Sequence, residues 1–323
     1  MATQPQHPQT PIHSSPYIGR FAPSPTGNLH FGSLVGALAS FLDARAMGGR
    51  WLVRIEDLDP PREVRGSSNA ILESLENHHL LWDDSILYQS TRVNAYQETL
   101  SYLSNHQLTF ECSCSRKTAP TPSGIYSGHC RNIKHRSEVL TATRLKVYDL
   151  PTTFKNVPNV ISFNDIFMGI QNENISSSVG DYIIHRKDGL FAYQLAVVVD
   201  DIYQKITHVI RGSDLLSSTA QQIFLYRLLD KELNKKCYKI EPQYGHFPVV
   251  LNPEGNKLSK KDSAKRLDEK NPSKNIFRAL VFLQQAPPTE LEKESPDVII
   301  QWAIRHWRRI AIPKTKGLQE SRL

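Results

Sequence analysis

Long apolar runs are absent from this chain of 323 residues. The longest notable one extends from Leu195 to Val199, far short of the roughly 20 residues that cross a bilayer. The first sixteen residues contain four prolines but no Lys, Arg, Asp or Glu, so they lack the basic start and apolar stretch of a signal peptide. We therefore expect residues 1–16 to form a disordered tail, and we expect a cytoplasmic protein with no membrane partner.

Cysteine is also scarce, and the four present are Cys112, Cys114, Cys130 and Cys237. Three of them fall within nineteen positions, which does not indicate the disulfide framework of a secreted protein. Three close thiols can hold Zn²⁺ tetrahedrally if a fourth ligand is found. Chemistry alone favours His129 as that ligand, because imidazole binds zinc far more often than phenol does. Free thiols in a loosely ordered insert are the alternative.

Acidic residues are fewer than basic ones, 32 against 39, which leaves a net charge of +7. A basic surplus favours a polyanionic partner such as RNA, because Lys and Arg release counterions from phosphates, although many basic proteins bind no nucleic acid. Hydrophobic residues make up 39% and charged residues 22%, as is ordinary for a globular protein. The length allows one catalytic domain with an insert.

The beginning of the chain predicts a strand, a helix and a second strand. Residues 17–21 form the first strand, apolar residues at helical spacing predict the helix over about 32–46, and residues 51–55 form the second strand. Pro23 and Pro25 force a loop between the first strand and the helix. This order predicts an α/β fold with a doubly wound parallel sheet.

Further along the chain the pattern is less regular. Helices are predicted near residues 64–79 and 92–107, and strands over 181–186 and 207–210. The apolar segment 193–199 is compatible with either a helix or a strand. The last ten residues are expected to be loosely ordered.

The loop before the first helix has the character of a phosphate site. A helix start presents unpaired N–H groups and the positive end of the dipole, both of which favour phosphate. Gly32 lets a nucleotide approach the backbone, and His30 can donate to a phosphate oxygen whose charge grows during displacement. The alternative is a proline-rich loop with a histidine that only caps the helix.

A second basic element lies more than two hundred residues later. Lys257-Leu258-Ser259-Lys260-Lys261 follows a loop with Pro253 and Gly255. Two lysines on a mobile loop suit a pyrophosphate leaving group, because their ammonium charges neutralise it. The alternative is a solvated basic loop.

Together, His-x-Gly-Ser at residues 30–33 and Lys-Leu-Ser-Lys at residues 257–260 resemble the two signatures of class I aminoacyl-tRNA synthetases. Three longer segments are similar to the glutamate-specific branch of that family: RFAPSPTGNLHFGS, WLVRIEDLDPPR and HRKDGLFAYQLAVVVDDIYQKITHVIRGSDLL. The resemblance covers roughly residues 17 to 265.

Within that branch the chain is most similar to the truncated bacterial paralogues, whose acceptor is the queuosine base in the anticodon of tRNA(Asp). Only 62 residues follow Lys261, too few for the helical anticodon-binding half of a full glutamyl-tRNA synthetase. Cys112-Ser113-Cys114 and Asp-Pro-Pro-Arg are also familiar from the short paralogues. An ordinary glutamyl-tRNA synthetase that charges a tRNA 3′ end, and a catalytically silent paralogue that only binds RNA, are the rival interpretations.

The resemblance implies that L-glutamate is activated with ATP and Mg²⁺. It assigns the catalytic roles to His30 and Lys260, and ATP binding to His30, Gly32, Ser33, Lys257, Ser259 and Lys260.

The resemblance also assigns the glutamate site. Arg20 would contact a carboxylate, Glu56 the ammonium, and Arg211 the side-chain carboxylate, since a ligand with two carboxylates and one amine needs such partners. The remaining lining residues would be Phe21, Ala22, Pro23, Ser24 and Tyr193. The alternatives are that Glu56 caps a strand end, that Arg211 pairs with Asp214, and that Tyr193 is a core residue.

For the metal, the resemblance replaces His129 by Tyr126, giving Cys112, Cys114, Tyr126 and Cys130 as the ligands of one structural Zn²⁺. Adjacent His129 and Cys130 can hardly both reach one ion without strain, which favours the same choice. The insert is expected to shape the surface that meets RNA.

The expected domains follow from these assignments. They are a tail over 1–16, the first half of the catalytic domain over 17–110, a zinc-binding insert over 111–180, the second catalytic half over 181–250, and the Lys-Leu-Ser-Lys loop with a short helical region but no anticodon-binding domain over 251–323. We expect a monomer.

Overall fold

A computed structural model describes residues 16–115, 125–233, 241–257 and 267–319. The predicted tail, apart from Pro16, lies outside these residues, as does Cys237. Among the described residues, none of the helices has the length and apolar character that a membrane span requires.

Twelve strands and eight α-helices occur in the described part of the chain. The strands are β1 (Ile18–Phe21), β2 (Arg50–Ile55), β3 (Leu87–Tyr88), β4 (Thr109–Cys112), β5 (Ala142–Leu145), β6 (Val160–Asp165), β7 (Gly169–Asn174), β8 (Tyr182–His185), β9 (His208–Gly212), β10 (Gln243–Phe247), β11 (Val249–Leu251) and β12 (Gly317–Gln319). The helices are α1 (Phe31–Ala46), α2 (Ser67–Asn77), α3 (Val93–Asn105), α4 (Ile175–Ser178), α5 (Tyr193–Tyr203), α6 (Leu216–Leu233), α7 (Pro272–Phe282) and α8 (Pro296–His306).

The centre of the molecule is a parallel layer. β1, β2 and β3 pair in parallel, and so do β9 and β10. The N–H of Thr207 donates to the carbonyl of Ile18 (2.9 Å), and the N–H of Ile18 donates to Thr207 Oγ1 (2.8 Å), so β9 lies beside β1. The strand order is therefore β3-β2-β1-β9-β10, and the predicted doubly wound parallel sheet is confirmed.

Helix α1 packs against this layer and forms the centre of one apolar core. Its side chains Leu34, Leu38 and Leu42 are fully buried at helical spacing, as the sequence predicted. Helices α7 and α8 cover the outer side of α1, where Arg309 donates two hydrogen bonds to the buried Asp43 (2.7 and 2.9 Å). The short helical C-terminal region is thus part of the core that packs around α1.

The insert is built from antiparallel strands. β4, β5 and β8 form one sheet, and β6 and β7 form a hairpin. The predicted strand over 181–186 is β8, which pairs with the insert although the predicted boundary falls before it. The domain boundaries stay a prediction. Segment 193–199 is helical, as the first part of α5, whose apolar run is buried on packing against α6.

The expectation that the last ten residues are loosely ordered is wrong for those that form β12. β12 pairs in parallel with β11 over Val249↔Gly317 to Leu251↔Gln319, and Ser213 Oγ donates to the carbonyl of Lys316. The three residues of β12 have no alternating apolar pattern, so the sequence alone does not predict a strand there. The strand forms because β11 offers an edge with unpaired backbone groups.

Candidate active site

One cavity of about 860 Å³ opens at the carboxyl ends of β1, β2 and β9, where parallel sheets bind ligands. Twelve of the residues predicted to bind ATP or glutamate line it: Arg20, Phe21, Ala22, Pro23, Ser24, His30, Gly32, Ser33, Glu56, Tyr193, Arg211 and Lys257. The structure therefore brings together residues that lie up to 237 positions apart in the chain (20 to 257). Ser259 and Lys260 lie outside the described residues.

The start of α1 forms one end of the cavity. His30 is the N-cap residue, and its Nδ1 accepts the backbone N–H of Ser33 at 3.2 Å. A Cβ at position 32 would lie 3.2 Å from the His30 ring, so Gly32 lets the imidazole fold over the first turn. The structure is compatible with both interpretations of this loop. His30 caps the helix through Nδ1, and the positive end of the helix still faces the cavity.

Lys257 lines the same cavity and forms an isolated bridge with Leu251 at the end of β11. Its Nζ contacts Asp214 Oδ2 at 2.5 Å, and both side chains are partly exposed. Asp214 folds back over Gly212, where a Cβ would lie 2.6 Å from its Oδ1. Asp214 therefore pairs with Lys257 and not with Arg211, so the alternative interpretation of Arg211 is wrong.

Two arginines share one aspartate below the cavity. Arg20 donates from Nε and Nη2 to the two oxygens of Asp201 (both 3.2 Å), and Arg54 Nη1 donates to Asp201 Oδ1 at 2.8 Å. All three side chains are almost fully buried. Burial by itself raises the pKa of Asp201, but the charges of Arg20 and Arg54 outweigh it and hold that pKa below its usual range.

Sequence reasoning missed Arg54 and Asp201. Each left a signal, since Arg54 interrupts the apolar strand Trp51-Leu52-Val53-Arg54-Ile55 and Asp201 belongs to the acidic pair that follows the apolar run of α5. Buried charges in such runs are found paired, and each of these could have been matched with the other.

Glu56 lies beside this group at the wall of the cavity. Arg54 Nη2 is 3.5 Å from Glu56 Oε1, yet that oxygen has no hydrogen-bond partner among the described residues. Burial raises the pKa of Glu56 despite the nearby charges of Arg54 and Arg20. An unpartnered carboxylate oxygen on a cavity wall suits a cationic ligand group, and the structure gives no support to a strand-end cap.

Arg211 is held quite differently. Its guanidinium donates to Tyr193 Oη (3.2 Å), to Thr219 Oγ1 (2.7 Å) and to the carbonyl of Leu215 (3.3 Å). Its Nε donates to His246 Nε2 at 3.1 Å. All of these acceptors are neutral groups. Tyr193 lies at the first turn of α5 and is partly buried, so it lines the cavity rather than filling the core.

The mouth of the cavity is more exposed and more highly charged. Asp59 accepts from Arg62 Nε at 2.6 Å and from Arg186 Nη1 at 3.3 Å. The next residue, Lys187, donates to the carbonyl of Ser113 in the cysteine segment. The loop after β8 therefore connects the mouth of the cavity to the cysteines.

Three cysteines of the insert meet at one point. The Sγ atoms of Cys112, Cys114 and Cys130 all lie within 4.8 Å of one another. Tyr126 Oη lies 3.5 Å from Cys112 Sγ and 4.0 Å from Cys114 Sγ. Burial raises the pKa of Cys130, but hydrogen bonds, first that of Tyr126 and then the backbone N–H of Ser113, bring it down to about 6.

This donor set is compatible with a metal ion, since three thiols and one phenol oxygen converge. His129 is exposed and does not belong to the cluster, although it precedes Cys130. The geometry therefore favours the phenol over the imidazole as the fourth donor.

Comparisons with known proteins agree with this site. A family model described as the catalytic domain of class I tRNA synthetases (E and Q) matches residues 18–282. A protein of Colwellia psychrerythraea named glutamyl-Q tRNA(Asp) synthetase is 47% identical over 315 residues, which cover 96% of both chains. A protein of the same name from Pseudomonas aeruginosa is 44% identical over 310 residues, 96% of this chain and 100% of the relative.

Solved structures are more distant. The crystal structure of a glutamate tRNA ligase from Elizabethkingia meningosepticum in complex with its amino acid has a TM-score of 0.72 and 25% identity. The match covers 94% of this chain and 66% of that chain.

Proposed function

The chain belongs to the family of class I tRNA synthetases for glutamate and glutamine, and on that premise we propose that it activates glutamate with ATP and transfers it to queuosine in the anticodon of tRNA(Asp). The observation that carries this proposal is the convergence, in one cavity, of two arginines, an unpartnered carboxylate and the start of a helix. The names of relatives that are 44 to 47% identical over nearly their whole length support the choice of acceptor.

In the first step, an oxygen of the glutamate α-carboxylate attacks the α-phosphorus of ATP. The P–O bond to pyrophosphate breaks, and glutamyl-adenylate forms. We assign ATP binding to the start of α1, with His30, Gly32 and Ser33, and to the loop with Lys257, Ser259 and Lys260. His30 and Lys260 would stabilise the charge that develops on the phosphates, with Mg²⁺ bound to the nucleotide.

We assign each charged group of the bound glutamate to a polar side chain of the cavity. Arg20 would contact a carboxylate, Glu56 the ammonium, and Arg211 with Tyr193 the side-chain carboxylate. The loop Phe21–Ser24 would close the remaining side. The unpartnered oxygen of Glu56 and the neutral surroundings of Arg211 support these roles, because both groups keep capacity for a charged ligand.

In the second step, a hydroxyl of the queuosine cyclopentenediol attacks the carbonyl carbon of glutamyl-adenylate, an ester forms and AMP leaves. We propose that the anticodon stem-loop approaches the mouth near Arg62 and Arg186. The net charge of +7 would hold its phosphates, so binding should weaken with salt. The enzyme would act as a monomer in the cytoplasm, with no membrane partner.

We further propose one structural Zn²⁺ held by Cys112, Cys114, Tyr126 and Cys130, in an insert over residues 111–180 that shapes the RNA surface. A zinc ion with four protein ligands supplies rigidity and no open coordination position. Purified protein should carry about one zinc per chain, and Cys130→Ser should abolish it. Tyr126→Phe should weaken zinc retention more than the matched His129→Ala does; the opposite ranking would make His129 the fourth ligand.

Labelled glutamate, ATP and tRNA(Asp) with or without queuosine test the main proposal. Labelling should require queuosine, survive removal of the tRNA 3′ end, occur on an isolated anticodon stem-loop, and vanish after periodate oxidation of the diol. Glutamate on the terminal adenosine would instead make the protein an ordinary glutamyl-tRNA synthetase. Absence of glutamate-dependent ATP–pyrophosphate exchange would leave the RNA-binding paralogue.

A further inference from the structure

His246 lies next to Arg211 across the two adjacent strands β9 and β10. The two residues are direct partners in the parallel register, and both are buried. His246 Nε2 accepts from Arg211 Nε at 3.1 Å, and His246 Nδ1 lies 2.5 Å from Asp165 Oδ2. Asp165 comes from β6 in the insert hairpin, and neither it nor His246 lines the cavity.

We propose that His246, oriented by Asp165, is a positioning residue that holds Arg211 in the conformation required to bind the side-chain carboxylate of glutamate. This inference rests on the function proposed above for Arg211. It adds two residues that do not touch the substrate but set the geometry and charge of the group that does.

The protonation of the ring follows from its partners. Arg211 is only a donor, so Nε2 of His246 must present its lone pair, and the ring proton must lie on Nδ1 and point at Asp165. Burial lowers the pKa of His246 and the charge of Arg211 lowers it further; together they outweigh the hydrogen bond and charge of Asp165, which raise it, so the neutral ring is favoured. Asp165 therefore selects the one tautomer of the ring that can accept from Arg211.

The indirect arrangement also preserves charge for the ligand. Within the described ranges, no carboxylate oxygen forms an ion pair with Arg211, and the negative charge of Asp165 is separated from it by the imidazole. A guanidinium held by neutral acceptors is oriented without being neutralised. It can then pair with a carboxylate on the open side, where it borders the cavity.

Asp165→Asn tests this directly because the amide can take only one orientation. Asp165 Oδ1 accepts the backbone N–H groups of Phe167 (3.0 Å), Met168 (2.9 Å) and His246 (3.1 Å), so the oxygen of the asparagine must occupy that position. Its NH₂ group then faces His246 Nδ1, and the ring proton moves to Nε2. There it opposes the N–H of Arg211.

The measurement is glutamate-dependent ATP–pyrophosphate exchange by the full-length protein, with glutamate and ATP varied separately. Asp165→Asn should raise the KM for glutamate about tenfold or more, while the KM for ATP stays within about twofold. Asp43→Asn is the matched control, since Asp43 is equally buried but binds Arg309 far from the cavity. That control should change the melting temperature and leave the glutamate KM unaltered.

A pair of variants at position 246 separates positioning from simple packing. His246→Gln can place an acceptor near the former Nε2, whereas His246→Asn reaches only the former Nδ1 and contacts Asp165 alone. The glutamate KM should therefore rise less in the glutamine variant than in the asparagine variant. Equal rises in the two variants, or parallel rises in the KM values for glutamate and ATP, would reduce His246 to a packing residue.

The two possible failures have different signatures. Wild-type protein without any glutamate-dependent exchange would overturn the proposed function and this inference with it. Normal wild-type exchange together with an unchanged glutamate KM in Asp165→Asn would overturn the inference alone.

Discussion

Two arginines border the same cavity, and the protein holds them by opposite means. Arg20 is bound through two hydrogen bonds to a carboxylate, Asp201, which also receives Arg54. Arg211 is bound by a phenol, a hydroxyl, a carbonyl and an imidazole. The carboxylate of Asp165 contacts that imidazole and not Arg211 itself. The charge of Arg20 is neutralised by Asp201, whereas the neutral acceptors around Arg211 only orient its guanidinium.

The difference indicates a division of labour. Removing the carboxylate of Asp201 leaves the buried Arg20 without its hydrogen-bonded anion and Arg54 with only its 3.5 Å contact to Glu56, so that group contributes mainly to folding. Removing a neutral acceptor from Arg211 leaves the guanidinium in place but less well oriented, so we expect that group to contribute mainly to ligand binding. Four substitutions test this comparison, in order of decreasing expected effect.

Asp201→Asn should give the largest change, a loss of about 3 kcal/mol in the free energy of unfolding, because Arg20 and Arg54 would lose their shared anion. Denaturant unfolding at pH 7 measures it. Since the pKa of Asp201 is lowered in the folded protein, its contribution is present above the unfolded pKa and is lost as the pH falls through the folded value. The gap between variant and wild type should therefore begin to narrow below about pH 4 and close only below the folded pKa.

Arg211→Ala should raise the KM for glutamate about a hundredfold with little change in the KM for ATP, since the side-chain carboxylate would lose a charged partner. Pyrophosphate exchange measures both constants. Arg211→Lys is the control for geometry: it keeps the charge but lacks the planar fork, and it should restore only part of the affinity. An equal loss for both ligands would mean a folding defect and would break the comparison.

Thr219→Val should have a moderate effect, raising the glutamate KM about fivefold, because it removes one neutral acceptor of Arg211 at constant volume. Thermal unfolding serves as the second measurement. A stability loss as large as that of Asp201→Asn would show that the Arg211 group also serves folding.

Glu56→Gln should have the smallest effect, a gain of about 1 kcal/mol in the free energy of unfolding at pH 7. The pKa of Glu56 is raised in the folded protein, so its ionised form destabilises the fold above the unfolded pKa. The gain should disappear below about pH 4, where Glu56 is protonated in both states. A variant less stable than wild type at pH 7 would mean that the Arg54–Glu56 pair stabilises the fold.

The sequence predicted the parts of the fold that are encoded locally. The strand–helix–strand unit is clear because the apolar spacing of α1 and the prolines before it act within a few residues. β12 escaped detection because its strand state is set by pairing with β11, about seventy positions earlier in the chain. Segment 193–199 is compatible with both structures because a short apolar run satisfies both periods.

The candidate site shows the same division. The signature residues could be found because they stand in contiguous motifs, and Tyr126 was chosen over His129 by resemblance and strain. Asp165 and His246 carry no local signal, since an isolated buried aspartate or histidine becomes meaningful only when a distant partner is known. The pairing of Lys257 with Asp214 is equally nonlocal, and the sequence suggested Arg211 for that aspartate.

The hydrogen bonds that join β1 to β9 span 189 positions of the chain, and Arg20 reaches Asp201 across 181. Contacts this distant in sequence form slowly, because a large loop must close before they return any free energy. The hairpin β6–β7, whose strands adjoin, can form far sooner. We therefore expect the insert hairpin to form before the β1–β9 and Arg20–Asp201 contacts that shape the cavity.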